Sequence, residues 1–538
     1  MGTATFTPNA NVTNASTAIG LTYTGVTDAA GNAGVGSETS GNISIDTALP
    51  SATIAVSDNA LKAGETAQVT ITFSEAVSGF SNANLSVTDG TLSNVTSTDG
   101  GVTWTATFTP NANVTNAGTA IGLNYAGVTD AAGNPGVGSE TSGNISIDTA
   151  LPTATIAVSD NALKAGETAQ VTITFSEAVS GFSNANLSVA DGTLSNVTST
   201  DGGVTWTATF TPNANVTNAG TAIALNYIGV TDAAGNAGVG SEASGNISID
   251  TILPSATIAV SDNALKVGET AQVTITFSEA VTGFSNANLS VTNGTLSNVT
   301  SIDGGVTWTA TFTPNANVTT ASTAIGLNYI GVTDAAGNTG VGSEISGNIS
   351  IDTALPTATI AVSDSALKAG ERAEVTITFS EAVSGFSNAN LSVADGTLSN
   401  VTSSDGGVTW TATFTPNANV TNASTAIGLT YAGVTDAAGN AGVGSATSDS
   451  FSIDTVRPVP ISLTLTETSG SQALSYTLVF SEAVTGLDVR DFSLLNANGT
   501  TATIGAVTAL SPTTYRIDLT NVTGAGPCSW SLPVITVG

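Results

Sequence analysis

The sequence predicts an all-β chain that repeats one domain in tandem, and three observations support this prediction. The segment IDTxLP recurs with its aspartate at Asp46, Asp148, Asp250 and Asp352, and a variant, IDTVRP, places Asp454. Successive copies are 102 residues apart, and the segment VTWTATFTP recurs at the same interval. Within each copy, short runs of alternating apolar and polar residues are separated by clusters of Gly, Asn, Asp and Pro. A period of this length is the size of a whole domain with its own core, not of a solenoid repeat.

The copy that begins at Asp46 shows the strand pattern. Apolar residues alternate with threonine or small residues over 52–56, 69–73, 102–108 and 121–125, and isoleucine alternates at 145–147. β-branched and aromatic residues in period two are typical of strands that bury one face. No stretch has a helical period. About seven short strands in roughly 100 residues indicate a two-sheet sandwich. The predicted fold is therefore a tandem array of immunoglobulin-like β-sandwiches, about seven strands each, with a 102-residue period.

The period divides the chain into six parts. Residues 1–47 match only the last part of a copy, and residues 456–538 form a diverged, incomplete copy that keeps VFSEAVTG. The final residues, GPCSWSLPVITVG, resemble nothing in the other copies. Four full copies lie between these ends, at 48–149, 150–251, 252–353 and 354–455.

Composition excludes several classes of function. Lys and Arg number 8 against 40 Asp and Glu, which gives a net charge of −32 and no basic footprint for nucleic acid. The chain has no His and one Cys, so it has no Ser-His-Asp triad, no His-ligated zinc and no internal disulfide. The sequence contains no run of 18 apolar residues, so it predicts no transmembrane helix. The N-terminal residues, MGTATFTPNANV, have neither the basic region nor the apolar region of a signal peptide.

Four segments together carry a family resemblance. ATIAVSDNALKAGETAQVTITFSEAV, TWTATFTP, GVTDAAGN and ISIDTALP resemble the bacterial Ig-like repeats of giant surface adhesins of the biofilm-associated and repeats-in-toxin types. The resemblance covers residues 3–525. It implies a secreted, cell-surface stalk whose partners are the other domains of a long adhesin and, through a distal binding module, an unknown surface ligand. In several such families calcium stiffens the junctions between domains.

A calcium site at each junction is also predicted from the residues themselves. In an immunoglobulin-like sandwich, the linker before the first strand lies at the same pole as the B–C and F–G loops. Asp46 is in this linker, Glu75 ends strand B, and Asp130 and Asn134 lie in the F–G loop. Calcium takes six to eight oxygen ligands, and without His or a usable Cys a hard cation is the metal that these residue types favour.

Each of these residues also has a reading without a metal. Glu75 shares the inward side of its strand with Phe73, where an unpaired carboxylate costs free energy, but at the rim of the sandwich it would simply contact water. Asp130 and Asn134 suit a tight turn around Gly133. Asp46 would be a solvated linker residue.

The same four positions recur in every copy, and the diverged last copy keeps Asp454 and Glu482. The predicted calcium ligands are Asp46, Glu75, Asp130, Asn134, Asp148, Glu177, Asp232, Asn236, Asp250, Glu279, Asp334, Asn338, Asp352, Glu381, Asp436 and Asn440.

Two other classes of function compete with a stalk. A carboxylate-pair enzyme such as a glycosidase would need a pocket-building insertion, and four near-identical catalytic copies would be unusual, so an enzyme is not expected. Repeats that bind a carbohydrate, ice or a host-surface ligand through avidity are the alternative, because the strand faces are rich in Thr and Asn. Half-solvated sheets have the same composition, and the uniformity of the copies favours a spacer.

Overall fold

The computed structural model describes residues 2–468, 473–495, 501–523 and 534–537. Cys528 and most of the segment GPCSWSLPVITVG lie outside this range. The described residues are almost all in strands, turns and loops, and none of their helical segments is long and apolar enough to cross a membrane. Those segments are the 3-10 turns Asn82–Asn84, Asn184–Asn186, Asn286–Asn288, Asn388–Asn390 and Val489–Asp491.

The first full repeat illustrates the strands of all four. They are Ala52–Val56, Ala60–Lys62, Ala67–Phe73, Val77–Ser78, Leu85–Val87, Gly90–Leu92, Thr96–Ser97, Thr103–Pro110, Thr115–Thr119, Ile121–Asn124, Thr129–Asp130, Ser139–Thr141 and Ile145–Asp148. The same strands recur 102 residues later in each following repeat. The exception is the pair Val77–Ser78 and Thr129–Asp130, which is reduced there to a single bridge such as Ser180 to Thr231.

One sheet of the sandwich is a continuous antiparallel ladder. Its strand order is Gly90–Leu92, Thr103–Pro110, Ala67–Phe73, Ala52–Val56, and Thr96–Ser97 also pairs with Thr103–Pro110. The alternation of these strands points one set of side chains at the opposite sheet. The sequence prediction of strands here is confirmed.

The opposite sheet consists of two three-stranded ladders. One orders Thr115–Thr119, Ile145–Asp148 and Ala60–Lys62, and the other orders Ser139–Thr141, Ile121–Asn124 and Leu85–Val87. Ala60–Lys62 runs parallel to the last strand, although it lies in the segment DNALKAGE, whose Asp, Asn and Gly residues predict a loop between strands. That reading was wrong for these three residues. The strand is too short to show alternation, and Leu61, 2% exposed, is its one core residue.

Each repeat has its own hydrophobic core. Val69, Ile71 and Phe73 are 0–2% exposed, as the period-two pattern predicts. Trp104 packs edge-on against Phe80 at 5.2 Å and is a partly buried core residue. The core clusters of the four full repeats contain residues of one repeat only, so each sandwich buries its apolar surface without its neighbours.

The two ends carry partial repeats. The N-terminal part contains Thr13–Thr17, Gly20–Thr22, Ser37–Thr39 and Ile43–Asp46. The C-terminal part contains Pro460–Thr468, Ala473–Phe480, Phe492–Leu495, Thr501–Ser511, Thr514–Thr523 and Val534–Val537. Its first, second, fifth and fourth strands form one ladder, in that order, and the other two pair with each other.

Candidate metal centre at the repeat junctions

The linker between repeats is held from both sides. Thr149 donates its backbone N–H to the carbonyl of Val114 in the preceding repeat, at 2.8 Å. Thr153 exchanges backbone and side-chain hydrogen bonds with Ser176 in the following repeat, at 2.8 and 3.1 Å. Only residues 150–152 lie between these anchors, and Pro152 among them is buried and has a fixed φ. The covalent hinge between neighbouring sandwiches is therefore three residues long.

Three carboxylates converge beside this hinge. Asp148 is the last residue of a strand of one repeat and not part of the linker, so the predicted linker position was wrong. In the next repeat, Glu177 lies in the loop after a strand that ends at Phe175, not at the strand end as predicted, and Asp232 lies in the F–G loop. One oxygen from each of the three side chains lies within 4.8 Å of the others. The three other junctions have the same arrangement: Asp46, Glu75 and Asp130; Asp250, Glu279 and Asp334; Asp352, Glu381 and Asp436. The structure thus brings together the three carboxylates that the sequence singles out at each junction.

The aspartate at the end of the last strand is held in place by a threonine of its own repeat. Thr115 Oγ1 donates to Asp148 Oδ1 at 3.0 Å. Its equivalents Thr217 and Thr319 make the same bond, at 2.9 Å, to Asp250 and Asp352. No pattern in the sequence distinguishes this threonine, because many of the strand residues are threonines. One aspartate oxygen is therefore fixed, and the carboxylate is oriented toward the junction.

The glutamate of each cluster has no compensating partner. Glu177 makes no hydrogen bond or ion pair with any described residue. Burial raises its pKa, and the nearby charges of Asp232 and Asp148 raise it further. Glu75, Glu279 and Glu381 have raised pKa values from the same causes. A partly buried carboxylate that faces two others without a counter-charge is an unfavourable arrangement unless a cation is shared.

The loop aspartate belongs to a closed turn. Asp232 accepts the backbone N–H of Asn236 at 2.8 Å, and the two residues also form a backbone hydrogen bond at 3.1 Å around Gly235. For the equivalent Asp130, burial opposes ionisation, but hydrogen bonds from Asn134 outweigh it and lower the pKa. The turn chemistry that the sequence indicates is therefore present, and at Asp130 it favours the ionised carboxylate.

The asparagine of the loop lies next to the carboxylates and connects two repeats. Asn236 Nδ2 donates to the backbone carbonyl of Asp148 at 2.9 Å and to Asp232 Oδ2 at 2.8 Å. Its Oδ1 accepts the backbone N–H of Ala63 at 2.8 Å. Asn338 and Asn440 have equivalent partners. The role of Ala63 is not predicted from the sequence, because Ala63 follows the strand Ala60–Lys62, which is too short to show alternation.

A hard cation fits the three carboxylates. Calcium binds oxygen at about 2.3–2.6 Å, so two of its ligands are at most roughly 5 Å apart. The three carboxylate oxygens lie within 4.8 Å of one another, which is within this span. The nearest ammonium group of the preceding repeat, Lys62 Nζ, is paired with Glu65 at 3.7 Å. The donor set is oxygen only, which suits calcium better than a softer metal.

The last junction is different. Asp454 and Glu482 are present, and Glu482 Oε1 is buried without a hydrogen-bond partner. A cavity of about 480 Å³ opens beside them, lined also by Lys368 and Arg457. The described residues supply no third carboxylate there, and residues 519–538 contain neither Asp nor Glu. This junction therefore has only part of the site.

The fold and its junctions define a class: tandem immunoglobulin-like sandwiches with short linkers and an acidic cluster between neighbours. A scan against protein families matches the bacterial Ig-like domain five times, at 2–45, 46–147, 148–249, 250–351 and 352–453. The chain belongs to this family. The family expected from the four sequence segments is thereby confirmed.

A comparison with curated proteins finds no match. Among solved structures, the chain is similar to the Escherichia coli adhesin FdeC, with 14% identity over 56% of this chain and 96% of that one, and a TM-score of 0.23. It is also similar to a marsupial T cell receptor, with 13% identity, 50% and 91% coverage and a TM-score of 0.16. For E. coli alpha-2-macroglobulin the values are 10%, 94% and 42%, and 0.14. At these TM-scores the structures add nothing to the family assignment.

Proposed function

We propose that this chain is a non-enzymatic stalk of a bacterial surface adhesin, which holds a distal binding module away from the cell. The support is the uniformity of the array: four full repeats share one fold and one kind of junction, and each has a core of its own. At ~3.3 Å per strand residue, the longest strand of a repeat, Thr103–Pro110, spans about 26 Å, and with the loops at both poles each sandwich is ~35–40 Å long, so four repeats would span on the order of 150 Å. A spacer needs this length, and it needs junctions that resist bending.

Calcium at the junctions would supply that resistance. The observation that carries this proposal is the uncompensated glutamate between two aspartates, Glu177 with Asp148 and Asp232 in one junction. Asp148 lies on one side of the three-residue hinge and the other two carboxylates lie on the other side. A bound ion would therefore join both repeats and offset the repulsion among the three charges. Extracellular calcium modules commonly bind at ~10⁻⁴–10⁻³ M, which suits a protein outside the cell.

Thermal unfolding with and without calcium tests this proposal. Millimolar calcium should raise the melting temperature above its value in EDTA, because a ligand that binds only the folded state stabilises it by mass action. In the variant Asp250→Ala, one junction should lose the calcium-dependent rise in melting temperature, and the other junctions should keep it. The matched control, Glu242→Ala, removes an exposed carboxylate outside the clusters and should keep the full rise. If calcium shifts none of the transitions, the junctions do not bind it, and stiffness depends on linker packing.

A further inference from the structure

We infer that Asn236, Asn338 and Asn440 are positioning residues that lock each repeat to the one before it, rather than calcium ligands. The inference builds on the proposed stalk and assigns a mechanical role to a side chain that the sequence pattern places among the metal ligands. Three features of these junctions support this role: the end of a parallel ladder, the direction of the amide group and the burial of the asparagine.

The asparagine extends a β-ladder with its side chain. In the first full repeat, Leu61 pairs with Ile147 and Lys62 pairs with Asp148 in parallel register. Beyond this pair, the N–H of Ala63 and the carbonyl of Asp148 point toward the next repeat. The carboxamide of Asn236 lies between them, accepting from the first at 2.8 Å and donating to the second at 2.9 Å. A side-chain amide of one repeat thus takes the place of a peptide group at the sheet end of another.

The direction of the amide argues against metal ligation. Its NH₂ group faces the acidic cluster, because it donates to Asp232 Oδ2 at 2.8 Å and to the Asp148 carbonyl. Its oxygen faces the opposite way, toward Ala63. A cation among the carboxylates would therefore meet amide hydrogens, which carry partial positive charge. Turning the amide over would break three hydrogen bonds of a side chain that is 3% exposed.

One junction of the same chain lacks half of this link. Asn134 donates to the Asp46 carbonyl at 3.0 Å and to Asp130 Oδ2 at 2.7 Å. Its oxygen has no partner among the described residues, where no strand equivalent to Ala60–Lys62 precedes Asp46. Asn134 is half-buried, whereas Asn236 is buried. The buried amide of Asn236 thus has both the carbonyl of the last strand and the backbone N–H after the short strand as partners.

The same side chain connects the link to the candidate cation site. Asn236 fixes the position of the Asp232 carboxylate relative to Asp148, so the angle between two repeats and the spacing of two carboxylates are set together. The link contains no metal. It should therefore persist in EDTA, where it would limit bending while calcium is absent.

The triple variant N236A/N338A/N440A in the 538-residue chain tests this role. We expect the backbone amides of Ala63, Ala165 and Val267 to exchange with deuterium at least tenfold faster, in EDTA and in calcium alike. Small-angle scattering should show a broader distribution of distances within the molecule. Calcium titration should show the same number of sites, with a dissociation constant within about tenfold of the wild-type value. Unchanged exchange in the core strand 205–212 would show that the sandwiches remain folded.

A second variant distinguishes a bridging role of the three asparagines from calcium ligation, and it does so without truncating the side chain. N236D/N338D/N440D keeps the shape but sets a carboxylate against the Asp148 carbonyl and the Asp232 carboxylate, where the amide donates two hydrogen bonds. A bridge therefore predicts that the repelled side chain leaves its place and that the amides of Ala63, Ala165 and Val267 exchange faster. A ligand predicts tighter calcium binding with unchanged exchange. Loss of three calcium sites in the alanine variant, or unchanged exchange in both variants, would overturn the inference. If the wild type binds no calcium at all, the calcium proposal fails, whereas faster exchange in the variants still supports the bridge.

Discussion

The side-chain oxygen of Asn236 accepts a hydrogen bond from the backbone N–H of Ala63 at 2.8 Å, although the two residues are 173 positions apart and belong to neighbouring repeats. The bond connects the F–G loop of one sandwich to the end of a strand in the preceding one. With the anchored linker, it gives the junctions at Asn236, Asn338 and Asn440 two restraints, and a cation shared by the three carboxylates would add another. The stiffness of the proposed stalk depends on such restraints, because each sandwich has a core of its own.

The first prediction concerns pH. The raised pKa of Glu177 and its equivalents means that the folded chain holds these protons more tightly than the unfolded chain. In EDTA, this contribution to stability is complete below the ordinary value of 4.5 and is lost as the pH rises through the raised pKa. The melting temperature in EDTA should therefore fall as the pH rises from about 5 to 7. Scanning calorimetry across this range measures the slope.

Two variants and one ligand check the origin of that slope. E75Q/E177Q/E279Q/E381Q should remove most of the decrease, since no carboxylate then ionises against the paired aspartates. The control, D58N/D160N/D262N/D364N, also removes four charges but outside the clusters, and should keep the decrease. Calcium should reduce the slope in the wild type and in this control, because both keep the clusters. A slope that is equal in the wild type and the glutamine variant would contradict the assignment.

The second prediction concerns the independence of the repeats. Phe210 is 0% exposed and its core cluster contains residues of one repeat only. Phe210→Ala should cost about 3–5 kcal/mol, because a large cavity remains. Calorimetry should show one repeat unfolding at a lower temperature while the other transitions stay in place. The exposed neighbour variant Thr209→Ala should change little, and a common shift of all transitions would show that the array unfolds as one unit.

The third prediction compares two glycines in one repeat. Gly181 and Gly166 both have positive φ, at +77° and +82°. A methyl group on Gly181 would overlap the carbonyl oxygen of Gly229, whereas one on Gly166 would meet nothing within 4 Å. Gly166→Ala should therefore cost only the backbone strain, about 1–2 kcal/mol. Gly181→Ala should cost clearly more, since the B–C loop that carries Glu177 must move. Equal losses in urea unfolding would contradict the close approach.

The fourth prediction is the number of calcium ions. Four junctions have three carboxylates, whereas the last has Asp454 and Glu482 without a third in the described part of the chain. Isothermal titration of the 538-residue chain should therefore give four sites of similar affinity. Asp232→Asn should reduce the number to three. Glu482→Gln should leave it at four, and a fifth site of equal affinity would show that three carboxylates are not required.

Much of the fold could be predicted from the sequence alone. Period-two alternation identified the strands whose inward residues, such as Val171 and Ile173, are fully buried. It could not identify a turn such as the one at Asp201, which accepts the backbone N–H of Thr205 at 2.9 Å. These hydrogen bonds lower the pKa of Asp201 to about 2. The sequence shows only one more acidic residue in a Gly-rich loop, and the bonds depend on how that loop closes.

The sequence by itself determined the repeat, the two-sheet sandwich and the pole at which Asp148, Glu177 and Asp232 meet. These follow from local alternation and from the order of strands in such a fold, and neither depends on a particular partner. The tertiary structure alone decided what Asn236 contacts. Its amide is oriented by Ala63 and by the end of a parallel ladder in another repeat, and no local pattern encodes a hydrogen bond across 173 residues.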